Sequence, residues 1–590
     1  MSGADGARKA PELSVVAPAF NQAETIEATL TEILRRLDAR GLDFELIVVS
    51  DGSHDDTYAA ARRVTDPRVQ VLDYDRNLGK GFAVRTGSLA ARGEWVAWID
   101  SDLDLDPSRV ADFLARAREE DLDVVVGSKR HPDSEVEYPR RRRVYSWLYQ
   151  RLVRVLFSLD VRDTQVGMKL LRREVLERVL PVVLVKRYAF DLEVLAVSRH
   201  FGFGRIVESP ITLEYQFTGS GVGWRAIVHA LWDTAAVFYR LRLRRYYDRQ
   251  RAFSDRVAPA RDAPQDASLT VVSAPSVLDV EGVQRASALA RSLPAGGRVI
   301  VVAERVEGEH PSVPGLSVIE LPERRAAARL RRGAELARTD LIALLGPDAR
   351  PGGGWAAAGV ALLADPSVGI VAGPVVPRLG DDLREGAAAI LTESRLGVGA
   401  ASLRSSVGRM HEVREFPVVN LFVRRGLLLQ AIEDGDALDD DLCGSIRRRS
   451  GLTAIFCPDA IATTRPTRLF RPYLRHIHGI GIDRGARFAL RRMMRGRYLA
   501  PVGLVVGALV GIPAIVVGGP WALAWSAAMG LYALSLLGLG ALTFLMHRRA
   551  RLSLLVMAGA VTSHIAFGLG LLRGLGRRRA GSSQLSPAPR

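Results

Sequence analysis

Cysteine is nearly absent from this chain, since Cys443 and Cys457 are the only two among its 590 residues. Two thiols cannot form a disulfide framework, so their scarcity excludes a disulfide-stabilised scaffold and fits a reducing compartment. The sequence also predicts no N-terminal signal peptide, because residues 1–12 are polar and the first apolar run, LSVVAPAF, is too short. The chain is long enough for several domains.

Aromatic residues make up only 7% of the chain, and they do not alternate with its basic clusters. The formal net charge is +16, and arginines concentrate beside hydrophobic segments at 140–143, 241–251, 491–497 and 547–551. Nucleic-acid binding requires aromatic stacking platforms or a recognisable motif, and the sequence shows neither. The charge pattern therefore indicates anionic lipid headgroups, rather than nucleic acid, as partners.

Charged residues are also rare in three stretches near the C-terminus, at 499–519, 521–546 and 552–572. Each stretch is long enough to cross a bilayer, so the sequence predicts two to three transmembrane helices within 499–573. Arginines flank the first two stretches and put both ends of that hairpin in the cytoplasm. The third stretch either spans the membrane or doubles back at 568–570, because arginines also follow it.

Residues 13–215 alternate apolar strands with amphipathic helices. The strand-like runs are LSVVAPA, ELIVVS, VQVLDY, EWVAWID and LDVVVGS, with helical stretches such as 24–40 and 107–119 between them. This alternation predicts an α/β fold with a mostly parallel, Rossmann-like sheet. A polar, proline-containing stretch at 251–267 is typical of a linker, so we expect a first domain over 11–250.

The strand pattern restarts after this stretch, which indicates two copies of one fold. At a shift of 246 residues, GSLAARGEWVAWIDSD (87–102) aligns without a gap with GAELARTDLIALLGPD (333–348). The second copy is altered at its site, because Gly346 stands in place of Asp100 and the glycines around Lys80 are not repeated.

The strand EWVAWID leads into two aspartates, Asp100 and Asp102, whose side chains point the same way in an extended chain. Two such carboxylates can share one divalent cation at the carboxyl edge of a parallel sheet, where open α/β folds bind ligands. A calcium loop is disfavoured, because Leu105 stands where glycine is needed and Ala111 where a bidentate glutamate is needed.

Further motifs converge on the same edge of the predicted sheet. Asn21 follows the first strand, and Asp51 ends the second, placed to accept hydrogen bonds from a base or ribose. Arg76 and Lys80 belong to a glycine loop that opens a helix, which suits phosphate groups. Each motif alone is equally typical of a turn. Their order, followed by the acidic pair, favours a nucleotide-diphosphate site.

This combination resembles the family 2 glycosyltransferases with the GT-A fold. The motifs that carry the resemblance are NLGKGFAVRTGSLAARGEW, IDSDLD, VVGSKR, RDTQVGMKL and RYAFDLEVL, within residues 11–247. Inside that family, the dolichyl-phosphate β-glucosyltransferases and the dolichyl-phosphate mannose synthases are most similar. Ser50 and Gln22 depart from the family pattern, which usually has aspartate and glutamate there. The first departure weakens the expectation of base recognition.

The resemblance implies roles for residues along the sheet edge. The residues that would bind the nucleotide-sugar are Pro18, Phe20, Asn21, Gln22, Val49, Asp51, Lys80, Asp100 and Ser101. Asp100, Asp102 and Asp104 would hold Mg²⁺ or Mn²⁺ on the diphosphate, and Asp102 would also count as catalytic.

The resemblance also implies a polyprenyl phosphate as acceptor. Lys129 and Arg130 would meet its phosphate, and Asp163 and Gln165 would orient the sugar or the acceptor, although a turn cap is the alternative for Asp163. A phosphate monoester has a second pKa of about 6, so the acceptor is already a nucleophile at neutral pH and needs no strong general base. The anomeric centre would invert in one displacement.

Two segments have the composition of helices that lie in a membrane interface. Residues 140–159 combine an arginine run with aromatic and aliphatic side chains, and 224–245 are similar. Each alone is equally typical of a core helix with a solvated charged face. A lipid-phosphate acceptor favours the interfacial interpretation.

Residues 268–490 also resemble a family 2 glycosyltransferase, of the membrane-bound polysaccharide type. Asp439 lies where that type has its catalytic base, with Asp441 beside it, and Asp348 follows a predicted strand. Because Gly346 replaces a metal-binding aspartate, we expect a degenerate or scaffolding copy rather than an active one. A solvated loop is the alternative for Asp439 and Asp441.

We therefore predict a glycosyltransferase of the cell membrane, with its catalytic domains in the cytoplasm, that moves a hexose from a nucleotide-sugar to polyprenyl phosphate. The resemblance favours UDP-glucose over GDP-mannose, and no residue distinguishes the two bases. One alternative is a glycan glycosyltransferase in which Asp439, not Asp102, is essential. Another is a non-enzymatic scaffold, which is disfavoured because the first copy keeps its acidic and basic residues.

Overall fold

A computed structural model describes residues 10–576, with gaps at 135–139, 186–188, 214–223, 257–267, 295, 309, 380–381, 399–404, 406–407, 434–441, 492–502, 504–506, 508–510, 512, 514–515 and 517. The elements of the first half are β1 (Leu13–Ala19), α1 (Ile26–Asp38), β2 (Phe44–Asp51), α2 (Thr57–Ala61), β3 (Val69–Tyr74), α3 (Lys80–Ala90), β4 (Trp95–Trp98), α4 (Arg109–Glu119), β5 (Val124–Ser128), α5 (Arg140–Phe157), β6 (Lys169–Arg172), α6 (Arg173–Val179), α7 (Phe190–His200), β7 (Ile206–Pro210), α8 (Trp224–Phe238) and α9 (Tyr246–Arg256).

The first seven strands form one sheet in the order β3-β2-β1-β4-β6-β5-β7 within the described residues. Neighbouring strands are parallel, except that β6 runs antiparallel to both β4 and β5. Successive residues of β1 enter opposite hydrophobic clusters, with Val16 on one face of the sheet and Val15 on the other. This confirms the predicted α/β fold, and it brings the carboxyl ends of β1, β2 and β4 to one edge.

A second sheet domain follows in the chain. Its elements are β8 (Leu269–Ser273), β9 (Val277–Leu278), α10 (Val280–Ser292), β10 (Arg298–Ala303), β11 (Arg305–Val306), β12 (Leu316–Glu320), α11 (Ala326–Leu336), β13 (Leu341–Leu345), β14 (Arg350–Pro351), α12 (Trp355–Leu363), β15 (Val368–Ala372), β16 (Val375–Pro377), α13 (Leu383–Glu393), α14 (Arg395–Val398), β17 (His411–Glu412), β18 (Asn420–Arg424), α15 (Arg425–Glu433), α16 (Leu442–Ser450), β19 (Thr453–Phe456), β20 (Ala462–Thr464) and α17 (Arg471–Arg491).

The second sheet repeats the strand order of the first. Its order is β12-β10-β8-β13-β18-β15-β19-β17, in which β18 is antiparallel to its neighbours as β6 is in the first sheet. The shift of 246 residues found in the sequence carries α3 onto α11 from end to end. The repeated order supports a duplicated fold, while the assignment of this domain as a second glycosyltransferase stays a prediction.

The predicted linker at 251–267 is helical where it begins. Helix α9 continues to Arg256, and 257–267 lie outside the described residues. The segments 140–159 and 224–245 contain the helices α5 and α8, and a short π-helix at Tyr239–Leu243 follows α8.

Two C-terminal helices, α18 (Gly519–His547) and α19 (Ala550–Gly576), are long and apolar enough to be candidate membrane spans. Helix α19 is unbroken through 568–570, so the alternative that the chain doubles back there is wrong. Its glycines approach those of α17 closely, because a β-carbon at Gly570 would overlap the backbone of α17. The first predicted span, 499–519, lies mostly outside the described residues.

Candidate active site

The acidic motif follows β4 at the edge where β1 also ends. Ser101 Oγ lies 2.7 Å from the Pro18 carbonyl oxygen and 2.6 Å from Gln22 Oε1. The Gln22 amide in turn donates to the Ser101 carbonyl oxygen at 3.4 Å. Gln22 therefore positions the segment that carries Asp100 and Asp102, and its amide can donate where the usual glutamate only accepts.

Gly167 allows the Asp100 carboxylate to lie at this edge. A β-carbon built at Gly167 would overlap Cγ and Oδ2 of Asp100. Gly167 lies two residues before β6, the antiparallel strand beside β4. The glycine of the RDTQVGMKL motif is thus required by a close approach of backbone to carboxylate.

Lys80 forms an ion pair with Asp100. Gly79 precedes it with φ +97°, a conformation that favours glycine, and Lys80 begins α3. Loss of water lowers the pKa of the Lys80 ammonium, but the charges of Asp100, Asp191 and Asp102 outweigh this effect and raise its pKa overall. A charged lysine therefore faces the acidic motif at neutral pH, as the phosphate-binding interpretation expects.

Asp51, at the end of β2, accepts hydrogen bonds from within the protein. Its carboxylate is 3% exposed and accepts hydrogen bonds from Tyr74 Oη at 2.9 Å, from the Leu78 N–H at 2.8 Å and from the Gly79 N–H. Both oxygens are used inside the protein. Asp51 therefore holds the loop in front of Lys80, and its role in binding a base or ribose stays a prediction.

The motifs DTQxGxK and AFDxE meet in an ion pair that the sequence analysis did not identify. The Lys169 side chain is fully buried, and its ammonium donates to Asp191 Oδ1 at 2.7 Å. A lysine inside an apolar strand could have indicated this ion pair, because a buried ammonium needs a charged partner. Asp191 also contributes to the field around Lys80.

Glu193 is the second buried charge that was missed. It is 0% exposed, and its carboxylate accepts hydrogen bonds from the N–H groups of Leu184 and Val185 at 3.0 and 2.6 Å. Arg240 pairs with it at 3.1 Å, and the Tyr247 hydroxyl donates to it. Glu193 therefore ties the chain before α7 to the segment that follows α8.

An aromatic side chain stands at the rim of the same edge. Phe20 is 42% exposed, and its ring lies edge-on to His54 with centroids 6.1 Å apart. Asn21 adopts φ +51°, and its Oδ1 accepts a hydrogen bond from the His54 N–H at 2.9 Å. Pro18 and Val49 are paired residues of β1 and β2 beneath this rim. The exposed ring of Phe20 offers a surface on which a base can stack.

The predicted acceptor residues lie at the end of β5. Lys129 and Arg130 follow this strand directly, and Arg130 donates to Gln150 of α5. Asp163 accepts a hydrogen bond from the Gln165 N–H at 3.2 Å, which is the turn cap considered as its alternative role. Burial raises the pKa of Asp163, against the opposing charges of Lys129, Lys169 and Arg130.

A divalent cation would be held by few protein ligands here. In the part of the chain that the structure describes, no group of three or more His, Cys, Asp or Glu converges as a metal site. Loss of water and the charge of Asp100 raise the pKa of Asp102, and loss of water and Asp102 do the same for Asp104. Crowded carboxylates of this kind favour a cation, and oxygen ligands suit Mg²⁺ or Mn²⁺. The carboxylate oxygens of these aspartates fit a cation whose remaining ligands come from a diphosphate.

The second sheet domain does not assemble an equivalent site from its described residues. Asp348 is exposed and pairs with Arg285 at 3.3 Å. Gly346, in place of Asp100, donates its N–H to the Val419 carbonyl oxygen. Asp439 and Asp441 lie outside the described residues, so their roles stay predictions.

Comparison with known proteins places this site in a family. The model of the family described as glycosyl transferase family 2 matches residues 14–180. The chain is 35% identical over 207 residues to the glycosyltransferase AglD of Haloferax volcanii, which covers 34% of this chain and 33% of that protein. It is 31% identical over 205 residues to the dolichyl-phosphate β-glucosyltransferase of Dictyostelium discoideum, covering 32% of this chain and 62% of that protein.

A solved glucosyl-3-phosphoglycerate synthase from Mycobacterium tuberculosis, in complex with Mn²⁺, UDP-glucose and phosphoglyceric acid, is 21% identical. That similarity covers 39% of this chain and 79% of the synthase, with a TM-score of 0.30. The chain spans between 33% and 62% of the length of the two curated relatives above. Residues 14–180 of this chain form a family 2 glycosyltransferase domain.

Proposed function

We propose that this protein is a membrane glycosyltransferase that transfers glucose from UDP-glucose to a polyprenyl phosphate with inversion. The observation that carries the proposal is the sheet edge itself, where Asp100 lies between Gly167 and the charged Lys80. Lys129 and Arg130 supply two further cations after β5. The choice of glucose is supported by the similarity to dolichyl-phosphate β-glucosyltransferases.

The chemistry requires little from a general base. A phosphate oxygen of the acceptor attacks C1 of the sugar, the bond from C1 to the diphosphate oxygen breaks, and the nucleoside diphosphate leaves with that electron pair. Because the acceptor phosphate is largely a dianion at neutral pH, no proton has to be removed from it. Lys129 and Arg130 would hold the acceptor for in-line attack, and Lys80 would face the diphosphate.

Asp100 and Asp102, with Asp104 as a further candidate, would hold Mg²⁺ or Mn²⁺ against the diphosphate. When bound, the cation supplies positive charge that stabilises the leaving group. Asp100 already pairs with the Lys80 ammonium. In the proposed complex, the same carboxylate would contact both Lys80 and the metal ion.

Membrane association is supported by apolar side chains that the fold leaves uncovered. Val155 of α5 is 78% exposed, Trp232 of α8 is 74% exposed and Leu243 is 69% exposed. Arginines adjoin Val155 and Leu243 in the sequence, as in helices that lie at a lipid surface. With the candidate spans α18 and α19, they favour a multi-pass membrane protein whose sheet domains lie on the cytoplasmic side.

The second sheet domain is proposed as a degenerate GT-A copy. It repeats the strand order of the first sheet, but Gly346 replaces the aspartate equivalent to Asp100. This loss favours the first copy as the site of chemistry.

The experiment uses membranes that contain the full chain, radiolabelled UDP-glucose or GDP-mannose, polyprenyl phosphate and Mg²⁺. We expect label from UDP-glucose in the lipid fraction, lost in Asp102→Asn and retained in Asp348→Asn, the variant at the equivalent position of the second copy. Label from GDP-mannose alone would overturn the choice of donor. Loss in Asp348→Asn with activity kept in Asp102→Asn would move the chemistry to the second domain.

A further inference from the structure

The segment from Arg76 to Arg85 carries Lys80, and the second sheet domain holds it at both ends. At one end, the Arg76 guanidinium forms two bonds to the Glu393 carboxylate, at 2.5 and 2.7 Å, and a third to the Pro377 carbonyl oxygen at 2.8 Å. The side chains of Arg76 and Glu393 are 15% and 24% exposed. Paired bonds of this kind fix orientation as well as distance.

The other end of this segment, at Arg85, is held by a more deeply buried ion pair. Arg85 Nε and Nη2 donate to the two oxygens of Asp459, at 2.6 and 2.8 Å, and the side chains are 7% and 14% exposed. The remaining nitrogen of Arg85 donates to the carbonyl oxygens of Leu180 and Val183. The guanidinium therefore joins the second sheet domain to the chain that precedes α7 in the first.

An apolar seam surrounds these two ion pairs. Val376 and Ile461 of the second domain belong to the same hydrophobic cluster as Leu72, Tyr74 and Phe82 of the first. The two domains thus share a core along the end of β3.

Two glycines permit this close approach. The Gly353 N–H donates to the Asp73 carbonyl oxygen at 2.7 Å, and a β-carbon at Gly353 would lie 2.8 Å from Leu72 Cβ. A β-carbon at Gly352 would lie 3.1 Å from Tyr74 Cβ. The contact is therefore a built interface rather than a loose one.

The loop between the two arginines is held from both sides. Asp51 binds its backbone from within the first domain, at Leu78 and Gly79. Glu393 and Asp459 bind its arginines from the second domain. The Lys80 side chain, which pairs with Asp100, is still 46% exposed and can face a ligand.

We propose that the second sheet domain is a positioning element of the donor site, in which Glu393 and Asp459 act through Arg76 and Arg85 to hold Lys80 opposite the acidic motif. This inference rests on the proposed function for the assignment of a donor site. In this proposal the second sheet domain positions Lys80 and needs no catalytic residue of its own.

The helix that carries Glu393 also contacts the candidate membrane span α19. Glu393 is the last residue of α13, and Leu391 of that helix belongs to one hydrophobic cluster with Val556 and Ala560 of α19. Helix α13 therefore contacts both α19 and Arg76.

The test compares Asp459→Asn, Glu393→Gln and Arg76→Lys in the full chain purified in detergent. Glu335→Gln is the control, because Glu335 pairs with Arg331 on the surface of α11, within the same domain. We expect the control to behave as wild type. We expect each of the other variants to raise hydrogen exchange in residues 76–90 and to raise the KM for UDP-glucose about tenfold, with the KM for polyprenyl phosphate unchanged.

The two proposals fail in different ways. Unchanged exchange at 76–90 in all three variants would overturn the positioning role, whatever the activity. A wild-type chain that transfers no sugar, while exchange at 76–90 still rises in the variants, would overturn the proposed function and leave the contact itself established. Arg76→Lys keeps the charge and removes only the paired geometry, so it supplies the measurement if Asp459→Asn fails to fold.

Discussion

Gly167 and the carboxylate of Asp100 occupy adjoining space, so that nothing larger than a hydrogen atom fits between them. The contact joins the segment before β6 to the acidic motif after β4. The two residues are 67 positions apart, and no local sequence pattern predicts that they meet. The contact gives the glycine of the RDTQVGMKL motif a structural role beside the two aspartates.

Gly167→Ala is expected to reduce transfer about 100-fold, because the new methyl group must displace the Asp100 carboxylate. Initial rates with saturating donor and acceptor measure the effect. Gly204→Ala is the matched control, since a β-carbon there meets nothing within 4 Å. Activity in Gly167→Ala equal to that of the control would show that the placement of Asp100 is unimportant.

Lys169→Met is expected to destabilise the chain by about 3 kcal/mol, because it leaves Asp191 largely buried without its ion-pair partner. Urea unfolding followed by tryptophan fluorescence measures the loss. Adding Asp191→Leu to the same chain should restore part of the stability, since the uncompensated charge is then removed. A single variant as stable as wild type would argue against a tight pair.

Asp51→Asn is expected to raise the KM for the donor about tenfold, because the amide nitrogen cannot accept the N–H of Gly79. If Asp51 acts only on the loop, the preference between UDP-glucose and GDP-glucose is expected to stay unchanged. A change in that preference, measured as a ratio of kcat/KM values, would instead support the predicted role of Asp51 in base recognition.

Cys457 is expected to resist thiol reagents at pH 8 while the chain is folded. Burial, assisted by the charge of Asp459, raises the pKa of its thiol from 9.0 to about 12. The folded chain therefore holds this proton more tightly than the unfolded chain. This contribution to stability is complete below pH 9 and is lost as pH rises towards about 12. Labelling with iodoacetamide, before and after addition of denaturant, checks the prediction.

Local patterns in the sequence were sufficient for much of the fold. Short apolar runs between amphipathic helices placed β1 to β5, because strands covered on both faces are mostly apolar. The gapless alignment at a shift of 246 residues corresponds to matching elements, α3 with α11 and β4 with β13. The family 2 domain followed from motifs whose order along the chain is itself the signal.

The direction of individual side chains was not predictable in the same way. Asp51 ends β2 as expected, but its hydrogen bonds to the loop before α3 were not predicted. A carboxylate accepts any donor within reach, so its partner depends on which backbone N–H groups the packing brings near. The pair of Lys169 and Asp191 depends likewise on how β6 and α7 meet.

The sequence by itself determined the strands, the acidic motif, the glycine loop and the duplication, because each depends on residues close together in the chain. Only the tertiary structure decided that Glu393 and Asp459 hold Arg76 and Arg85, across more than 300 positions of sequence. Such pairs arise where two sheet domains share one core. Their geometry depends on packing between domains, which no local pattern records.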